Sequence, residues 1–197
     1  DNSGWQQHDI PDGWIWQDLG NYYGAGAEKM NWRENQYDII LRSGNRSGSH
    51  VTIKDTRPRL LNSYSLRSEV QAASSGSGDN AYIYFPLSGD TAVIKGTIPV
   101  NQEHFVISGA FPSGAAQFIH ELQDTLIQIG KANHSMSLIF RDSGTAGDSS
   151  IPFFTHQSPP LDSLIYWFNK KSINLYGEAL IKTMAFGQKG YGATDTG

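Results

Sequence analysis

Between residues 37 and 107 the chain runs through six short β-rich stretches, at 37–41, 50–54, 65–70, 81–85, 92–98 and 104–107, separated only by clusters of Gly, Ser, Asn and Pro. Runs of this length bounded by turn-forming residues predict a small antiparallel β module. The insert Ser74-Ser75-Gly76-Ser77-Gly78-Asp79-Asn80 has the composition of a flexible hairpin tip, with nothing that has to pack.

The period changes on either side of this module. Residues 1–35 hold Trp5, Trp14, Trp16 and Trp32 among turn signals such as Pro11-Asp12-Gly13 and show no clear repeat, which predicts a loop-rich, aromatic segment. After Phe111-Pro112, Ser113 is suited to cap a helix whose apolar positions, Phe118, Ile119, Leu122, Leu126 and Ile129, recur at helical spacing up to a stop at Gly130. Met136, Leu138 and Phe140 alternate in a predicted strand at 135–141, followed by a Gly/Ser loop at 143–150. Beyond Pro159-Pro160 two helical stripes follow, Leu161, Leu164, Ile165 and Phe168, then Leu175, Leu180, Ile181 and Met184. The expected class is α+β: a small antiparallel β module plus amphipathic helices, divided as an aromatic segment 1–35, a β module 36–108, a helix and strand 109–157 and a helical part 158–197.

Composition excludes several functions. At 197 residues and 38% hydrophobic content there is material for a core. A net charge of −4 with scattered Lys and Arg provides no concentrated basic surface for nucleic acid or an anionic membrane. With no cysteine there is no disulfide, thiol catalysis or Cys-ligated zinc. No apolar run approaches the about 20 residues needed to cross a bilayer. His8, His104, His120, His134 and His156 lack metal-ligand spacing, so neither metal nor cofactor is expected. A solvated turn accounts for Arg141-Asp142-Ser143-Gly144, and the helix macrodipole for Lys170-Lys171 at a helix C-terminus.

Ser172-Ile173-Asn174 lies at the junction of the two C-terminal stripes. A Ser-x-Asn triplet opening an apolar helix is one of three elements of a serine acyl-transfer site, beside a Ser-x-x-Lys nucleophile and a Lys-Thr/Ser-Gly strand. Neither of the others occurs in the 197 positions, which makes the chain read as a segment of a longer protein, as does a first residue of Asp. On its own the triplet is also explained by Ser172 capping a helix and Asn174 closing a turn.

The flanks add weight. Leu161, then Asn169-Lys170-Lys171-Ser172-Ile173-Asn174, then Glu178-Ala179-Leu180 resembles the form Leu…Asn-x-x-Ser-x-Asn-x-x-x-Glu of the class C penicillin-binding proteins, the D-alanyl-D-alanine carboxypeptidase/endopeptidases of the bacterial periplasm. A second block, from His8 through Gly13-Trp14-Ile15-Trp16-Gln17-Asp18 to Tyr22-Tyr23-Gly24-Ala25, is similar to the Gly-Trp-x-Trp-x-Asp segment of that family. The two blocks occur in the family's order.

The resemblance implies accessory α+β domains inserted into a transpeptidase-like domain, an extracytoplasmic location, peptidoglycan stem peptides as substrate and, for the full-length protein, β-lactams as ligands. In such an enzyme a serine outside this chain would attack the D-Ala-D-Ala amide. Ser172 would relay a proton to the leaving amine, and Asn174 would hydrogen-bond the substrate's amide carbonyl. Asp18 and Tyr23 match positions that contact the stem side chain, an acid for a distal ammonium of a diaminopimelate-type residue and an aromatic wall. A capping Asp18 and a core Tyr23 are the plain alternative. Trp14 and Trp16 are expected to pack, and the chain alone is expected to be inert.

A rival reading is a carbohydrate- or peptidoglycan-binding module in which aromatics 5–32 stack on sugar rings. It would have little use for the helices at 113–130 and 160–186. A degenerate homologue with a structural role is a third.

Overall fold

A computed structural model describes residues 4–6, 11–133 and 154–196. Its elements are a short helix α1 (Trp16–Leu19), strands β1 (Gln36–Arg42), β2 (Thr52–Arg57), β3 (Ser65–Ala73), β4 (Asn80–Tyr84), β5 (Thr91–Pro99) and β6 (Phe105–Ala110), and helices α2 (Gly114–Gln128), α3 (Leu161–Lys171) and α4 (Asn174–Lys189). The α+β expectation holds, with all six strands where the short runs placed them. The predicted strand 135–141, the loop 143–150, Arg141–Gly144, His8 and His134 lie outside the described residues.

The strands form two three-stranded sheets, ordered β2-β1-β6 and β3-β5-β4. In the first, β1 pairs antiparallel with both neighbours, and its register with β2 shifts between Ile40 and Leu41. In the second, β4 pairs antiparallel with β5, but β3 runs parallel to β5 from Ser65↔Thr91 to Ala73↔Pro99. A purely antiparallel module therefore departs from expectation at this one pair. The chain reverses between β3 and β4 and again between β4 and β5, so β3 and β5 run the same way, and they pair in parallel with β5 in the middle.

Residues of period two enclose a common core. Ile39 and Leu41 of β1, Val70 of β3, Ile83 of β4, Ile94 and Ile98 of β5 and Ile107 of β6 are buried. Each such side chain contributes about 1.5–3 kcal/mol relative to leaving it in water. Two seams join the sheets. At one, Val51 N donates to Val70 O (3.0 Å) and Ala72 N to Ser49 O (2.8 Å). At the other, the buried Asn21 lies between the edges of β4 and β6. Its Oδ1 accepts from Ile83 N (3.0 Å), its backbone bridges Gly109, and Ala110 N donates to Gly20 O (3.0 Å).

The α2 N-terminus is capped twice. Ser113 Oγ accepts from Ala116 N (3.2 Å), as expected, and the buried Glu28 carboxylate accepts from Gly114 N (2.7 Å) and Ala115 N (3.3 Å). A carboxylate here satisfies orphan N–H groups and lies at the positive end of the helix dipole. The C-terminal helices sit on the Gly26 side of this body through Leu175, buried against Ala25, Ala27 and Ala110. Their other faces are apolar and exposed, with Leu161, Ile165, Tyr166, Trp167, Met184 and Phe186 open to solvent. Among the described residues no helix is long and apolar enough to cross a membrane.

Candidate functional site

The aromatic block fixes its own geometry through close approaches. At Gly20 an added Cβ would collide with the Ile83 carbonyl oxygen, and at Gly24 with the Asp18 carbonyl oxygen, so both positions need glycine for lack of space. The chain can therefore turn tightly from α1 through Asn21 into the single turn Tyr22–Gly24. Asp18 stands on α1 and Tyr23 on that turn. Burial first, then the Asp18 carboxylate beside its hydroxyl, pushes Tyr23 up to about 12. Trp16 meets the packing expectation only in part. It is 41% exposed, anchored by Nε1 to Phe85 O (2.8 Å) and set edge-on against Tyr84 at 4.9 Å between ring centroids.

The Ser-x-Asn triplet forms the corner between α3 and α4. Ser172 ends α3 in the left-handed conformation (φ 51°) with Lys170 and Lys171 in the last turn, and Asn174 is the first residue of α4. Ser172 does not cap α4: Ile173 occupies the N-cap position without a side-chain bond. Its hydroxyl is exposed and makes no hydrogen bond among the described residues. Asn174 Nδ2 donates to the Tyr23 carbonyl (2.8 Å), a contact across 151 positions of sequence that ties the triplet to the aromatic block.

Ser172, Asn174 and Tyr23 line one cavity of about 590 Å³, together with Tyr22, Glu34, Trp167, Lys171 and Tyr176. Asp18 is not on its wall; it stands behind Tyr23. A second cavity, of about 560 Å³, lies among Trp14, Phe85 and Phe111 and includes none of the four expected residues.

Two further wall residues were not anticipated. Tyr176 donates to Glu34 Oε1 (2.9 Å), and burial first, then Glu34, pushes its hydroxyl up to about 12. Glu34 belongs to three consecutive non-glycine residues with positive φ, Arg33 (52°), Glu34 (55°) and Asn35 (52°). Such residues cost about 1–2 kcal/mol each. Asn35 holds the turn: its Nδ2 donates to Gly26 O (2.9 Å) and Asn31 Oδ1 (2.8 Å), and its Oδ1 accepts from Trp32 N (3.0 Å). No glycine marks this turn, so the sequence carried no signal of it. Tyr176, two residues beyond Asn174, was within reach of inspection. Glu178, by contrast, accepts from Thr194 Oγ1 (2.9 Å) and secures the C-terminal turn.

Chemically, the wall offers a free hydroxyl, an amide with one N–H and its oxygen still open, a carboxylate and aromatic faces. These can hydrogen-bond and orient a peptide. Among the described residues Ser172 has no hydrogen-bonded base, so it does not form an activated nucleophile there.

The architecture has a counterpart in penicillin binding protein 4 (dacB) from Haemophilus influenzae, at 21% identity and a TM-score of 0.66 over 98% of this chain and 41% of that one. The same protein complexed with a novel β-lactam matches at 18% identity and a TM-score of 0.50, over 83% of this chain and 36% of that one. The chain thus spans well under half the length of these structures, and at such identities the likeness is one of fold. A comparison with curated proteins finds no match. The family assignment comes from the sequence, which matches over residues 1–197: the chain belongs to the D-Ala-D-Ala carboxypeptidase 3 (S13) family.

Proposed function

We propose that this chain is the accessory region and Ser-x-Asn wall of a serine-type, class C penicillin-binding protein, a D-Ala-D-Ala carboxypeptidase/endopeptidase. Its substrates are peptidoglycan stem peptides outside the cytoplasm. The nucleophile and the substrate-docking strand come from sequence outside these 197 residues. The division into accessory segments 1–35, 36–108 and 109–157 and a catalytic part 158–197 belongs to the same proposal.

The hydrogen bond from Asn174 to the Tyr23 carbonyl carries the reading, because it brings two sequence blocks onto one cavity wall together with Ser172. A carbohydrate-binding module would not require that junction. Within the reading, Ser172 passes a proton to the departing amine, Asn174 holds the amide carbonyl with its second N–H, and Tyr23 packs against the stem side chain with Asp18 behind it.

Incubation with penicillin followed by intact-protein mass spectrometry tests the assignment. The 197-residue chain should form no covalent adduct, whereas the full-length parent should acylate. In the parent, Ser172→Ala and Asn174→Ala should slow acyl transfer on the order of 10²–10⁴-fold while the melting temperature barely moves. Full turnover in either variant would remove that residue from the chemistry. A stoichiometric adduct on the short chain would overturn the division of parts.

A further inference from the structure

Among the described residues that line the cavity holding Ser172 and Asn174, one is a carboxylate, Glu34. Asp18, the acid expected to face a ligand, lies off that wall beside the Tyr23 hydroxyl. Glu34 is half-buried. Its Oε1 accepts from Tyr176 at 2.9 Å, and among the described residues no group donates to Oε2. The backbone that presents it is held at φ 55° between two other positive-φ residues. A turn with that cost persists only where its surroundings fix it. Here Asn35 and Tyr176 do so, leaving one carboxylate oxygen for a ligand.

We propose that Glu34, oriented by Tyr176, binds an ammonium group on the side chain of the peptide that occupies this cavity, as a second acid beside Asp18. The inference rests on the reading of the cavity as a stem-peptide site. Tyr23, Trp167 and Tyr176 supply apolar surface for the methylene stem of such a side chain, and the carboxylate pairs with its charged end. Lys171 on the same wall is exposed and solvated, so it weakens the local negative potential without occupying Glu34 Oε2.

The test uses the full-length parent, with its Ser-x-x-Lys serine changed to Ala so that the peptides are not turned over, and two probes, Nα-acetyl-Lys-D-Ala-D-Ala and the same peptide acetylated at Nε, titrated by NMR. Both should shift the amide signals of Ser172 and Asn174, with the free ammonium form binding about fivefold tighter, as an exposed charge pair permits. Glu34→Gln, which keeps an oxygen for the Tyr176 hydroxyl, should reduce that preference. Glu34→Asp, which keeps the charge but withdraws it, should reduce it too. Asp18→Asn should leave part of it, and Asp18→Asn with Glu34→Gln should abolish it. A preference unchanged in Glu34→Gln, or abolished by Asp18→Asn alone, overturns the assignment to Glu34 while the cavity reading stands. If neither peptide moves Ser172 or Asn174, the cavity reading falls and takes the inference with it.

Discussion

Asn174 donates one of its two amide protons to the Tyr23 carbonyl, and that bond determines what the residue can still do. Its remaining N–H and its oxygen are held in a plane set by the aromatic block, so Asn174→Asp should be worse than a loss of one contact. A carboxylate cannot donate to the Tyr23 carbonyl, and the two oxygens would repel. Ligand-induced shifts at Ser172 should vanish in that variant while the urea midpoint falls slightly. In the parent, Asp18→Asn should reduce specificity constants more for substrates with a free distal ammonium than for acetylated ones. Tyr23→Ala should reduce both alike, since an aromatic wall packs on the aliphatic stem whatever its charge. Equal losses for Asp18→Asn on both would remove Asp18 from recognition. Three of the four expected residues meet on one wall. Asp18 was legible only as one step removed, because nothing in its spacing from Tyr23 says which of the two faces the cavity. Glu34 was hidden for a different reason: its left-handed turn is stabilised by side-chain hydrogen bonds of Asn35 rather than by a glycine that could be read.

Among the elements, the short α1 and its turn contribute more than their length suggests, because they close the seam between two sheet edges. Gly20→Ala should therefore act as a backbone lesion. The added methyl meets the Ile83 carbonyl, α1 must lift from β4, and Asn21 loses its bond to Ile83 N. A loss of about 2–4 kcal/mol, in the range of severe core changes, is expected from urea denaturation. Tyr23 should loosen with it and weaken peptide binding at a distance. Glu28→Ala removes the second cap of α2 and should cost about 1–2 kcal/mol without touching the cavity, which peptide titration would verify. The strands were legible because apolar residues alternate between turn clusters, as at Ala92 and Ile94 of β5. Their partners were not: the parallel match of Ser65 with Thr91 depends on where β4 turns the chain, which no local pattern records.

For the molecule as a whole, four tyrosines hold their protons late. Burial raises Tyr37 well above its usual range and Tyr64 to about 12, and Tyr23 and Tyr176 also reach about 12 through burial and a nearby carboxylate. Each folded value lies above the unfolded one near 10, so the stabilisation is complete below about pH 10 and disappears as pH rises toward 12 and beyond. Thermal melts should show a stability plateau up to about pH 10 and a decline above it, less steep in Tyr176→Phe. An even fall from pH 8 would contradict this. Near its two ends the chain meets itself: Gln6 N donates to Gly192 O (2.8 Å), Gly192 N to Gly4 O (2.9 Å) and Thr194 N to Gln6 Oε1 (3.1 Å). A polypeptide whose first and last described segments are hydrogen-bonded to each other has its two ends on one spot of its surface. It can be closed into a ring with little strain, while a pull on both strands at once would load the C-terminal end of α4 before it reached the two sheets.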